Sequence, residues 1–113
     1  MTKYCLALDL VDDPALIEAY ENWHKNVWPE VIKSIKEAGI TQMEIHRTGN
    51  RLFMIMETDE HFDPVKKSAN DAVNKKVQEW EQLMWKFQQP IPWAKDGEKW
   101  VLMQRIFNLV EYK

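Results

Sequence analysis

The 113-residue chain has one cysteine, three glycines and no long apolar run. The lone Cys5 excludes an intramolecular disulfide, and its surroundings do not suggest a metal cluster. No apolar run approaches the roughly 20 residues that span a membrane, and residues 1–4 lack the pattern of a signal peptide. Lys and Arg number 15 against 18 Asp and Glu, without a basic stripe, so the net charge of −3 disfavours a nucleic-acid partner. We therefore expect one cytoplasmic domain over residues 1–113, with no membrane anchor and no metal.

Tryptophan, in contrast, is abundant. Six tryptophans and three histidines occur in a chain of ordinary globular composition, with 45% hydrophobic and 29% charged residues. Tryptophan combines a large apolar surface with one N–H donor, so it serves both cores and ligand sites. Where the six tryptophans fall is therefore informative about function.

Alternating apolar residues predict the strands. They occur in residues 4–10, 40–48, 51–58 and 100–112. The Gly49-Asn50 dipeptide between the second and third of these suits a two-residue hairpin turn.

Proline and aspartate mark the predicted helices. Asp12-Asp13-Pro14 begins the first helix, with either aspartate as the cap. Pro29 breaks this helix near residues 25–28 and starts a second, and Gly39 ends that one. Asp63-Pro64 opens a weak helical segment, and Asn70-Asp71 is expected to cap a stronger one that ends before Pro90.

The resulting order β, α (broken), β, β, α, β is typical of an α+β, ferredoxin-like fold. It predicts a four-stranded antiparallel sheet with helices on one face. Both faces of the predicted last strand carry apolar residues, although an exposed sheet face is usually polar. We expect a two-fold homodimer to cover this surface; the alternative is that the loop at residues 90–99 covers it.

Three residues around the helix break could carry chemistry. Tyr20 and His24 are four residues apart, hence on one helix face, and Trp28 follows at the same spacing. Histidine exchanges protons near neutral pH, a phenol can bind a hydroxyl, and an indole ring suits the C–H face of a sugar. The alternative is a structural histidine that closes the end of its helix.

The segment from Tyr20 to Glu30 (YENWHKNVWPE) resembles the YxxxHxxxWPE motif of the L-rhamnose mutarotase family. The similarity continues in register at Gly39 and at residues 51–57 and 77–80, so it spans nearly the whole chain. The resemblance implies a small, cofactor-free homodimer, a dimeric α+β barrel, that interconverts the α and β anomers of a 6-deoxy-L-hexose.

By the same resemblance, His24 takes the place of the proton donor and Tyr20 that of a sugar-binding residue. A further family tyrosine falls on Met43, and a Trp-Trp pair falls on Trp80-Glu81, so two substrate-binding positions have changed type. Residues 80–86 (WEQLMWK) and 90–93 (PIPW) are similar to a branch of the family associated with L-fucose. The resemblance therefore implies either L-rhamnose or L-fucose as the monosaccharide.

Several roles stay open from the sequence. Glu81 and Glu44 are the titratable options for a general base, and Trp28, Trp80 and Trp93 are the candidates for stacking on a sugar. A cofactor-independent monooxygenase-type enzyme on the same fold, or a non-catalytic sugar-sensing or oligomerisation module, are the alternative functions.

Overall fold

A computed structural model describes residues 2–112 of the chain. The elements follow in the order β1 (Thr2–Leu10), α1 (Pro14–Trp23), α2 (Pro29–Glu37), β2 (Ile40–Thr48), β3 (Arg51–Thr58), α3 (Pro64–Ala72), α4 (Lys75–Trp85), β4 (Gln88–Gln89) and β5 (Val101–Leu102). A short 3₁₀ turn (Leu109–Glu111) follows β5. Within the described residues, no helix is long and apolar enough to cross a membrane.

The sheet is antiparallel and is built around β1. Its strand order is β2-β3-β1-β4, and β5 also pairs with β1. One edge of β1 pairs with β3 along its length, from Thr2 to Asp9. The other edge meets β5 at Leu6 and Ala7 and β4 at Asp9 and Leu10. This topology confirms the predicted α+β class and ferredoxin-like order.

Aspartate caps begin two of the helices at the positions that the sequence indicates. The Asp13 carboxylate accepts a hydrogen bond from the Ala15 N–H (2.9 Å), and the Asp63 carboxylate accepts one from Val65 (2.9 Å). A proline at the first helical position follows each cap, where its missing N–H costs no intrahelical bond. The chain therefore enters α1 and α3 in the same way.

The predicted cap at Asn70-Asp71 is wrong. Both residues lie inside α3, and Asn74 caps α4 by accepting a hydrogen bond from the Val77 N–H (3.2 Å). The half-buried ion pair between Lys67 and Asp71 (2.8 Å), one turn apart, favours the helical course of α3 through this segment.

The predicted long strand over residues 100–112 is also wrong in its extent. Only Val101–Leu102 pairs as a strand, and the last bond to β1 runs from the Met103 N–H to the Cys5 carbonyl (2.7 Å). On the same edge of β1, β4 pairs with Asp9 and Leu10, so two short strands share this edge in place of one long fourth strand. We call residues 103–112 the C-terminal arm. Most of its large apolar side chains are exposed, namely Met103, Ile106, Phe107, Leu109, Val110 and Tyr112.

The core lies between the helices and one face of the sheet. It is formed by Leu10, Tyr20, Val31, Leu52, Trp80, Met84 and Phe87. The opposite face carries half-buried Cys5, Phe53 and Ile55. Part of the loop at residues 90–99 reaches one end of this face, where Trp93 lies 5.1 Å from the Arg51 guanidinium. The two faces are thus covered to different degrees.

Gly39, at the turn between α2 and β2, gives a test of the fold. Its φ is +94°, and a Cβ there would collide with the Asp59 carboxylate and approach the Phe62 nitrogen at 3.2 Å. Gly49 also has a positive φ, but a Cβ there would meet open space. We expect Gly39→Ala to lower the free energy of unfolding by about 3 kcal/mol and Gly49→Ala by about 1 kcal/mol. Urea denaturation measures both, and equal losses would contradict the crowding at Gly39.

Candidate active site

A cavity of about 360 Å³ opens between α1 and the sheet. It is lined by Tyr20, Glu21, His24, Ile45, His46, Arg47 and Leu52. Its volume falls within the range of about 300–1,000 Å³ typical of small-molecule sites. Charged and aromatic groups surround an apolar floor, an arrangement suited to a small polar ligand with an apolar face.

His24 lies where α1 ends. Its backbone N–H bonds to carbonyls in the last turn of the helix, including that of Tyr20 (3.3 Å). Its ring Nδ1 is also 2.9 Å from the Tyr20 carbonyl oxygen. Because a carbonyl oxygen only accepts, Nδ1 carries a proton, and Nε2 is the nitrogen left to act on a ligand.

The environment of His24 favours the neutral imidazole. Burial lowers the pKa of His24 below its usual 6.5, and the hydrogen bond to the Tyr20 carbonyl opposes this shift in part. With Nδ1 protonated, a neutral ring presents a lone pair at Nε2. At pH 7 His24 is therefore ready to accept a proton before it donates one.

Tyr20 packs against His24 and presents a protonated hydroxyl. The two ring centroids are 4.3 Å apart, and Tyr20 is only 3% exposed. Burial raises the pKa of Tyr20 to about 12, although a hydrogen bond from the Gln88 side-chain amide lowers it in part. That bond joins Gln88 Nε2 to the Tyr20 hydroxyl oxygen over 3.3 Å. The phenol therefore stays neutral over the physiological pH range.

Trp80 supports this pair from the side of α4. Its ring centroid lies 5.7 Å from that of His24, 5.2 Å from that of Trp28 and 6.4 Å from that of Trp23, each near edge-to-face. Trp80 is only 7% exposed and does not line the cavity. The structure thus places Trp80 and Trp28 behind His24 and not in the cavity wall.

The remaining candidate residues, Met43, Glu81 and Glu44, are not among the residues that line the cavity. Met43 is half-buried on the same face of β2 as Ile45, but it is not among the residues that line the cavity. Glu81 is half-buried on α4 and lies close enough to Lys99 to raise the pKa of that ammonium, which burial lowers by more. Glu44 is exposed, 3.6 Å from His46, on the strand face opposite to Met43. The structure therefore brings Tyr20 and His24 together and keeps both candidate carboxylates out of the cavity lining.

Three polar residues near the site were missed by sequence reasoning. Glu21 and Arg47 line the cavity and form an ion pair between Oε1 and Nε (2.6 Å). Arg47 alternates with Met43 and Ile45 along β2, a pattern that could have revealed it. Gln88 approaches Tyr20 only because β4 pairs with the end of β1, and no local sequence feature predicts this.

Comparison with known proteins identifies the family of the chain. The sequence profile for L-rhamnose mutarotase matches residues 3–109. The chain belongs to the L-rhamnose mutarotase family. It is 50% identical over 113 residues to the L-fucose mutarotase of Xanthomonas campestris pv. campestris, covering 98% of this chain and 90% of that protein.

Two further family relatives are more distant. The L-rhamnose mutarotase of Sinorhizobium fredii is 34% identical over 64 residues, covering 54% of this chain and 60% of that protein. The crystal structure of an L-rhamnose mutarotase from Formosa agariphila shares the fold, with a TM-score of 0.72, 21% identity and coverage of 96% and 98% of the two chains. The family expected from the YxxxHxxxWPE motif is thereby confirmed.

The ionisation of His24 can be tested directly. We expect its imidazole to titrate below pH 6.5, because burial disfavours the charged ring. NMR titration of the histidine ring protons measures this, with the His24 signals assigned from their loss in His24→Gln. A midpoint at or above 6.5 would contradict the lowering of the His24 pKa by burial.

Proposed function

We propose that this protein is a mutarotase that interconverts the α and β anomers of a 6-deoxy-L-hexose, with L-fucose as the preferred sugar. Membership of the L-rhamnose mutarotase family identifies a carbohydrate isomerase. The choice of L-fucose is supported by the nearly full-length 50% identity to an L-fucose mutarotase, against 34% over about half the chain to an L-rhamnose mutarotase.

The observation that carries the proposed reaction is the pairing of Tyr20 and His24 at one cavity. Anomer exchange opens the pyranose ring and closes it on the other face of the aldehyde. Opening removes a proton from the anomeric hydroxyl and delivers one to the ring oxygen, and closure reverses both transfers. Two neutral proton-exchanging groups on one wall match this requirement.

The protonation states favour an assignment of the two transfers. In our proposal, Nε2 of neutral His24 accepts the anomeric proton while the C1–O5 bond breaks, and the Tyr20 hydroxyl donates a proton to the ring oxygen. The aldehyde then turns about the C1–C2 bond. In closure, Tyr20 recovers the proton from the C5 hydroxyl as it attacks, and His24 returns its proton to the new anomeric oxygen. Both side chains end as they began.

This assignment refines the role that the resemblance implies for His24. A proton donor in one direction of a reversible step is a proton acceptor in the other, so the same imidazole serves both. Neither Glu81 nor Glu44 is needed as the base. All proposed transfers use groups of this chain and of the sugar.

Sugar exchange tests the proposal. We expect anomer exchange of L-fucose above the buffer rate, and a loss of about 10²–10⁴-fold in kcat/KM for His24→Gln, the typical contribution of a positioned acid–base group. Saturation-transfer NMR between the two anomeric protons measures the rate with L-fucose and with L-rhamnose. His61→Gln is the matched control, because His61 lies on the surface with its side chain 81% exposed. If neither sugar exchanges above the buffer rate, the proposed function is refuted. Full activity of His24→Gln would refute this role of His24.

The proposed enzyme is a homodimer, for which the C-terminal arm is the main argument. Ile106 and Val110 are 92% and 85% exposed, and the other large apolar residues of the arm are also largely uncovered. A monomer rarely leaves so many contiguous apolar groups in water. The radius of gyration is 14.9 Å, more than the roughly 13 Å of a compact 100-residue domain. A second copy of the chain, related by a two-fold axis, would cover both the arm and the half-buried face at Phe53 and Ile55.

The dimer is tested by mass in solution. We expect light scattering at micromolar concentration to give twice the chain mass of 13.5 kDa. Ile106→Glu should shift the mass towards the monomer, because a charge would be buried unpaired in the interface. Val73→Glu is the control, since Val73, at the end of α3, is 85% exposed but is not part of the arm. A wild-type monomer, or equal effects of the two variants, would contradict the proposal.

A cytoplasmic location belongs to the same proposal. It is supported by the free thiol of half-buried Cys5, a state typical of reducing compartments.

A further inference from the structure

Gln88 is the buried polar residue whose hydrogen bonding is incomplete. It is 6% exposed, and its Nε2 donates to the Tyr20 hydroxyl oxygen over 3.3 Å. Its side-chain oxygen Oε1 is buried and has no hydrogen-bond partner among the described residues. A buried amide oxygen without a donor costs free energy, so native proteins seldom retain one without a reason. Because Oε1 is buried and Gln88 does not line the cavity, the amide is retained for the bond that its Nε2 makes to Tyr20.

The bond from Gln88 determines what Tyr20 can do. A phenol has one hydrogen to donate and an oxygen that accepts. When Gln88 Nε2–H occupies the accepting side, the Tyr20 hydrogen is free to point elsewhere. Among the described residues, the His24 ring bonds to the backbone carbonyl of Tyr20 and not to its hydroxyl. Tyr20 is thereby held as a donor towards a ligand in the cavity.

The Tyr20 hydroxyl oxygen also benefits from a hydrogen-bond donor when its proton leaves, and the Gln88 amide N–H is such a donor. Any proton that Tyr20 gives up leaves negative charge on a nearly fully buried phenolic oxygen. A hydrogen bond to an ionised oxygen is stronger than one to a neutral oxygen. The Gln88 N–H therefore stabilises Tyr20 most at the moment when its proton moves.

We propose that Gln88 is a positioning residue for Tyr20. Its Nε2–H holds the Tyr20 hydroxyl as a donor to the sugar. This inference rests on the proposed mutarotase function. It assigns to that function a residue behind the cavity wall, since Gln88 is buried and is not among the residues that line the cavity.

Two substitutions at Gln88 test this role. Gln88→Met keeps an unbranched side chain of similar volume but cannot donate to Tyr20. Gln88→Glu keeps the shape and an acceptor oxygen, but an ionised carboxylate cannot donate. The Tyr20 hydroxyl must then donate to that carboxylate and is turned away from the sugar. As the pH falls and the carboxyl becomes protonated, its O–H can again donate to Tyr20.

The experiment is L-fucose anomer exchange by saturation-transfer NMR at varied sugar concentration, which separates kcat from KM. For Gln88→Met we expect kcat/KM to fall roughly 10- to 100-fold, the size of one lost buried hydrogen-bond partner. The loss should lie in kcat, because the bond to Tyr20 is strongest while the proton moves. Gln89→Met is the matched control, since Gln89 is the next residue on β4 and its side chain therefore points to the opposite face of the sheet; it should retain wild-type values. Thermal unfolding by circular dichroism shows whether each variant is folded. If Gln88→Met does not fold, Gln88→Asn, which withdraws the amide by one methylene, tests the same contacts.

The pH profile separates positioning from folding when the folded fraction of each variant is measured by circular dichroism at every pH. Per folded molecule, the activity of Gln88→Glu divided by that of the wild type should rise as the pH is lowered from 8 to 5, and the division removes the titration of His24. A flat ratio, or an unchanged kcat in folded Gln88→Met or Gln88→Asn, would overturn the positioning role. Wild-type protein inactive on both sugars would instead refute the proposed function itself, and this inference with it.

Discussion

The packing of Trp80 against the end of α1 holds the site together. The Trp80 ring on α4 contacts Trp23, His24 and Trp28, which are the last residue of α1, its cap and the residue before α2. An aromatic ring of this size buries about 150–250 Å², so this one side chain ties α4 to the break between α1 and α2. The direction in which α1 ends, and therefore the position of His24, depends on this contact.

The polar atoms of the site are held in place by hydrogen bonds to neighbouring groups of the protein. The backbone carbonyl of Tyr20 holds His24 Nδ1, and the Gln88 amide holds the Tyr20 hydroxyl. Each functional group is thus left with one free polar position, the lone pair of Nε2 and the hydrogen of the phenol. Groups oriented before the ligand arrives need little reorganisation during reaction, which is a main source of enzymatic rate enhancement.

Local signals predicted most of the elements. Pro14 and Pro29 set the starts of α1 and α2, and the strands β2 and β3 around Gly49-Asn50 have the predicted bounds. Prediction failed at two boundaries. The α3–α4 boundary falls at Asn74 and not at Asn70-Asp71, because α3 continues through the Lys67–Asp71 ion pair. The predicted last strand ends at Leu102, and β4 and β5 share one edge of β1 through pairings between residues far apart in the sequence.

The site shows the same difference between local and long-range signals. The spacing of Tyr20 and His24 places them on one helix face, so sequence alone could pair them. Gln88 and the Glu21–Arg47 pair come together through strand pairing and helix packing, which no spacing encodes. Trp80 was assigned to sugar stacking on resemblance, whereas its burial identifies it as a support for the residues that face the cavity.

His24 has a second consequence for the protein. Its backbone N–H closes α1 and its ring is bonded to the last turn, so one residue both terminates a helix and faces the cavity. Any substitution at this position removes the ring together with its bond to the Tyr20 carbonyl. Thermal robustness and turnover are therefore coupled at this position, and selection for a more heat-resistant variant would have to act elsewhere in the chain.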